Sequence, residues 1–175
     1  MQENGNQRLD AIAEYKRVMV GHFDERATAR PRRISFSYYN KQVVDYLRFL
    51  IPPQSSVFEL GCGSGEMLNA LDPARGVGID LSEQMVEKAQ QQFPHLEFHV
   101  GDAEDLQVDE TFDYVLVVWL GNHLYDVQEA FAQLRKVCNR HTRVILLNLN
   151  FAWEPALRGL EKIGLRKRQP GLNWL

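Results

Sequence analysis

Three glycines at alternate positions, Gly61, Gly63 and Gly65, follow the short apolar run Ser56-Val57-Phe58-Glu59-Leu60. A carboxylate, Glu59, stands two places before the first of them. Without a Cβ the backbone can turn sharply off a strand and let a ligand approach closely. The spacing is G-x-G-x-G, whereas the dinucleotide fingerprint carries its third glycine one place later. A second carboxylate, Asp80, closes the run Gly76-Val77-Gly78-Ile79, where it can accept hydrogen bonds from a ribose diol. A third, Asp102, lies in Gly101-Asp102-Ala103-Glu104. There it can accept from an adenine amino group while the neighbouring backbone N–H donates to the ring. The chemistry these residues suggest is recognition of a nucleoside.

The elements that must position them alternate strand and helix, the pattern of βαβ units and a parallel sheet. A helical preamble comes first. One helix over about Leu9 to Phe23 brings Ile12, Tyr15 or Lys16, and Met19 near one face. A second, from about Tyr38 to Leu50, stops before Pro52-Pro53, and Asp24 to Ser37 reads as a loop. Strands are expected at Ser56–Gly61, Gly76–Asp80, Leu96–Val100, Phe112–Val118 and Arg143–Leu149. Between them, helices are expected over Glu66–Leu71, after an N-cap at Ser82, from the Asp126/Glu129 capping box to about Cys138, and from near Pro155 to Gly164. The expected fold class is α/β: a Rossmann-like, doubly wound, mostly parallel sheet of about five strands with helices on both faces and an N-terminal helical cap. One domain spans 1–175, divided into the cap (1–52), the core (53–165) and a tail (166–175).

VFELGCGSGEM, VGIDLSEQMVEKAQ and HVGDAEDL resemble the successive cofactor motifs of class I S-adenosylmethionine-dependent methyltransferases, in matching order, over roughly Tyr38 to Leu149. The resemblance implies S-adenosyl-L-methionine as cofactor, with S-adenosyl-L-homocysteine as product. It places Glu59, Gly61, Cys62, Gly63 and Gly65 around the methionine moiety and Asp80 on the ribose. Leu81 and Met85 fall beside the adenosine, and Asp102 and Ala103 on adenine. The run from Phe112 into Trp119-Leu120-Gly121-Asn122-His123 is similar to the family's fourth strand and the loop bordering the methyl group. Many relatives end that strand on a polar residue; Val118-Trp119 departs from this and weakens any built-in acid or base there. Trp119 is expected to line the pocket, stack on a flat acceptor, or pack as a rim aromatic. His123 is the candidate base, an imidazole in that loop, with Tyr39 as a second catalytic candidate, and Tyr38 and Tyr39 are candidates to close over the methionine end. The family's last two strands are missing from this pattern, so the tail reads as truncated or naturally shortened.

The implied function is methyl transfer to a small-molecule acceptor, on oxygen or nitrogen. The alternatives are a module that holds adenosylmethionine without transferring its methyl group, or a truncated domain needing a partner. With 20 Lys+Arg against 23 Asp+Glu the chain has a net charge of -3, not the basic excess expected of a nucleic-acid binder. No apolar run approaches the roughly 18 residues of a membrane span, and only two cysteines occur, which points to a cytoplasmic protein. His95, Glu97 and His99 share one strand face, read as a solvated strand end rather than a metal site. A fifth strand left as a sheet edge, or the N-terminal helices, would offer a homodimer contact.

Overall fold

The computed structural model describes residues 2–28, 36–148, 152 and 154–164, with the side chains of 2–6, 8 and 36–39 outside that description. Five parallel strands, β1 (Ser56–Leu60), β2 (Arg75–Asp80), β3 (Glu97–Val100), β4 (Tyr114–Val118) and β5 (Arg143–Leu147), lie in the order β3-β2-β1-β4-β5. The register sets Leu60 beside both Ile79 and Val117, Asp80 beside Val100, and Val118 beside Leu147. The carboxyl ends of the strands therefore come out together. Strand order reverses between β1 and β4, the switch point at which open parallel sheets leave a ligand crevice.

Both faces of the sheet are covered. On one face α2 (Phe36–Leu50), α3 (Glu66–Ala70) and α4 (Glu83–Gln92) supply Val43, Leu47, Leu68, Val86 and Ala89 to a buried cluster with Val57, Phe98 and Leu116. On the other, Phe58, Leu60, Ile79 and Val115 pack with Leu106, Phe112, Leu134 and Val137 near the end of α5 (Val127–Gln133). Fully burying side chains of this size is worth about 1.5–3 kcal/mol each. All five residues of β4 are buried, as suits a strand flanked on both sides and covered above and below.

Several boundaries differ from expectation. The first helix, α1 (Gln2–Thr28), runs past Asp24 because Glu25-Arg26-Ala27-Thr28 contains no breaker. The Lys88 ammonium, 3.0 Å from the Ala27 carbonyl, satisfies an acceptor in its last turn. Helix α5 stops at Gln133 and gives way to a 3-10 turn over Leu134–Lys136. Just beyond it the Val137 carbonyl accepts from the Phe112 N–H at 3.1 Å. The Phe112 N–H is thus bonded outside the sheet, and β4 starts at Tyr114. The last strand ends at Leu147, and the expected Leu149 and the tail 166–175 lie outside the described residues. The last helix, α6 (Glu154–Lys162), has no buried residue, and Val144 (46% exposed) and Leu146 (47%) stand open on the β5 edge. Among the described residues no helix is long and apolar enough to cross a membrane.

Candidate functional site

Gly61, Gly63 and Gly65 all have positive φ, at 76°, 52° and 77°. The turn they make is fastened to β2, because the N–H groups of Gly61 and Cys62 both donate to the Ile79 carbonyl, at 2.7 and 3.0 Å. Gly78 makes room for this: a Cβ there would stand 2.8 Å from both Cβ and Sγ of Cys62. The Gly63 N–H donates to Asp80 Oδ2 at 2.8 Å and the Ser82 N–H to Oδ1 at 2.9 Å, so one carboxylate ties the turn to the start of α4. Ser82 caps α4 as expected, its Oγ accepting from the Met85 N–H at 3.2 Å. A Cβ built on Gly63 would meet nothing within 4 Å, so this part of the turn faces open space.

Beneath the turn Glu59 is 3% exposed and its Oε2 lacks a hydrogen-bond partner. Burial pushes its carboxyl up to about 8; the bond from the Leu68 backbone opposes the shift and the negative charge of Asp80 adds to it. Burial also raises Asp80, against the bonds from Ser82, Gly63 and Leu81. The Cys62 thiol is pushed up by burial and by both carboxylates, which leaves it protonated and poorly nucleophilic.

At the end of β3, Asp102 Oδ1 accepts from the Glu104 N–H at 2.9 Å, and Oδ2 accepts from the Lys16 ammonium at 2.6 Å. Lys16 also pairs with Glu104 Oε2 at 2.9 Å. The other oxygen of Glu104 takes the N–H groups of Tyr125 and Asp126, at 2.8 and 3.0 Å. Burial lowers the Lys16 ammonium, but the bonds from the two carboxylates outweigh it and hold the group above its ordinary value. After β4, Trp119 has φ 57°, strained for a bulky residue. Its N–H donates to the Leu147 carbonyl at 2.7 Å, and its side chain packs on the cluster beneath α2.

His123 ends a 3-10 turn over Gly121–His123. Its carbonyl accepts from the Tyr15 hydroxyl at 3.3 Å, and its ring meets Phe23 edge-on at 5.2 Å. The structure thus gathers Glu59, Gly61, Cys62, Gly63, Gly65, Asp80, Leu81 and Met85 at the ends of β1 and β2, Asp102 and Ala103 after β3, and Trp119 and His123 after β4. Tyr38 and Tyr39 lie in the first turn of α2, with side chains outside the described residues. Sequence reasoning missed Lys16, Asp24 and Glu104. In the sequence Lys16 falls near one face with Met19, a position that signals packing and not charge pairing. The strand-end group is exposed: Glu97 accepts from Arg75 at 2.5 Å and lies 2.6 Å from His99 Nε2. A groove of about 600 Å³, lined by Ile79, Val100, Asp102, Asp105, Leu106 and Glu110 among others, runs beside the β3 edge; it reaches Asp102, but none of Gly61, Gly63 and Gly65 lines it.

Residues 57–141 match the family model of a methyltransferase domain. A dTDP-4-amino-2,3,4,6-tetradeoxy-D-glucose N,N-dimethyltransferase of Saccharopolyspora spinosa is 32% identical over 76 residues, 42% of this chain and 30% of that one. A phosphatidylethanolamine N-methyltransferase of Cereibacter sphaeroides is 27% identical over 177 residues, 95% of this chain and 81% of that one. Among solved structures, the PH0226 protein of Pyrococcus horikoshii superposes with a TM-score of 0.62 at 25% identity, over 76% of this chain and 64% of that one. The chain spans a third to a half of the length of most curated relatives it matches, from 30% to 50%. Over residues 57–141 the chain carries a class I S-adenosylmethionine-dependent methyltransferase domain, and the cofactor of that family is S-adenosyl-L-methionine. The residues present fit the cofactor: an open glycine turn stands over a buried carboxyl with one unpartnered oxygen, an acceptor suited to the ammonium of an amino-acid tail.

Proposed function

We propose that this chain transfers the methyl group of S-adenosyl-L-methionine to a small-molecule acceptor, through oxygen or nitrogen. The observation that carries the reading is Glu59, a buried carboxylate with one unpartnered oxygen beside an open glycine turn at the switch point. Gly61, Cys62, Gly63 and Gly65 would wrap the methionine portion, and Asp80 would take the ribose with the lone pairs left after Gly63 and Ser82. Leu81 and Met85 would flank the adenosine, with Asp102 and Ala103 on adenine. The bound cofactor supplies a methyl already activated by its sulfonium. The residues then have to hold the acceptor in line, where positioning is worth up to about 7–11 kcal/mol, and take a proton when the acceptor is an alcohol. We assign that proton to His123, the methyl-bearing rim to Trp119, and cover of the methionine end to Tyr38 and Tyr39.

Relatives are named for N-methyl transfer to an amino-sugar nucleotide and to phosphatidylethanolamine, and for O-methyl transfer to a malonyl carrier protein, so both acceptor atoms stay within the proposal. The two free cysteines support a cytoplasmic setting. The open β5 edge supports a homodimer, and the bonds from α1 to the core support a single domain.

A second reading, a module that binds the cofactor without transferring its methyl group, is favoured by the apolar Val118-Trp119-Leu120 at the end of β4. Calorimetry with S-adenosyl-L-homocysteine tests the site: binding is expected for the wild type and loss of binding for Asp80→Ala, and equal affinity would overturn the assignment. Transfer of radiolabelled methyl groups into a metabolite pool is expected of the enzyme. Binding without such transfer would leave the module.

A further inference from the structure

Helix α1 crosses the carboxyl ends of β2, β3 and β4, the side on which the proposed cofactor site opens. Its contacts recur at helical spacing. Tyr15 and Phe23 reach His123, Lys16 reaches Asp102 and Glu104, Asp24 Oδ1 accepts from Ser82 Oγ at 2.5 Å, and the Ala27 carbonyl accepts from Lys88. Met19, one turn from both Lys16 and Phe23, is 3% exposed, whereas Leu9 and Val18 face outward. An apolar side chain on the inward face therefore lies between the ion pair and the His123 contact. The carboxylate assigned to adenine is engaged as well: Asp102 Oδ1 accepts from the Glu104 N–H, and Oδ2 accepts at 2.6 Å from an ammonium that neutralises its charge. An adenine amino group would have to share Asp102 with that bound cation, which weakens the carboxylate as an acceptor.

We propose that α1 is an autoinhibitory cap, latched by Lys16, which competes with the cofactor for Asp102 and must lift before the nucleoside enters. The inference rests on the cofactor reading above. A latch made of a partly exposed ion pair is weakened by salt, whereas S-adenosyl-L-homocysteine carries no net charge and has little salt response of its own.

Calorimetry with S-adenosyl-L-homocysteine at about 50 and about 500 mM salt tests this on the full chain. Wild-type affinity is expected to tighten as salt rises. Lys16→Gln is expected to bind about five-fold more tightly at low salt and to lose the salt response, and Lys16→Arg to keep it. Hydrogen exchange supplies a readout apart from affinity: the ligand should raise amide exchange in α1 while lowering it in the glycine turn. Protection of α1 by the ligand, or a Lys16→Gln protein that binds no more tightly, overturns the cap. Binding by neither protein sinks the cofactor reading itself, and equal binding with equal salt response sinks the latch alone.

Discussion

Glu59 shifts from the ordinary value of 4.5 to about 8, and that shift has a thermodynamic sign. Between those values the folded chain keeps a proton that the unfolded chain has released, so unfolding loses a proton and stability falls as pH rises. One such group contributes at most about 1.4 kcal/mol per pH unit, and Asp80, also raised, acts in the same direction. Urea titrations of the ligand-free protein are expected to show stability declining from about pH 5 to about pH 8, with a flatter profile for Glu59→Gln. A wild-type curve that climbs through this window would count against the buried, protonated carboxyl. Gly78→Ala tests packing without backbone strain. Its new methyl would crowd Cys62 and Phe98, so a loss of about 1–3 kcal/mol should appear as a lower melting temperature. For an alcohol acceptor, His123→Gln is expected to lower kcat by about 10²–10⁴. The glycines and Asp80 were legible because spacing along one strand–turn–helix unit sets their places. Lys16 and Glu104 were not, because their meeting depends on how α1 lies across the sheet.

Helices and strands were legible where a local signal ended them. Ser82 and Asp126 cap their helices as their positions predict, the latter accepting from the Glu129 N–H at 3.0 Å. Boundaries moved where a distant partner intervened, as at Phe112, which bonds to Val137, and at the end of α1, where Lys88 supplies the partner. The two caps make a matched pair of tests. Asp126→Ala removes a local bond and should cost about 1 kcal/mol. Ser82→Ala removes both the cap and the bond to Asp24; it should cost about 1–2 kcal/mol and raise hydrogen exchange in the last turns of α1. Equal exchange in the two variants would show that Asp24 does not help to hold that helix.

Among the described residues the sheet has two open edges of different character. At β3 the flank carries the charges of Arg75, Glu97 and Glu110, which discourage strand pairing. At β5, Val144 and Leu146 are exposed, and the following helix α6 has no buried residue. Leu146→Lys is therefore expected to change monomer stability by no more than about 0.5 kcal/mol and to abolish concentration-dependent association in light scattering; an unchanged mass would place any dimer elsewhere. The α/β class and the strand count followed from the alternation of elements, since right-handed crossovers leave few topologies for five such units. The contacts of α1 also bear on how the chain acquires its fold. Tyr15 and Lys16 find their partners 108 and 86 residues downstream, so on a ribosome this helix emerges before most of the core and must wait for it. Contacts of such long sequence separation form late, and α1 should be the last segment to gain protection when refolding is followed by pulse labelling.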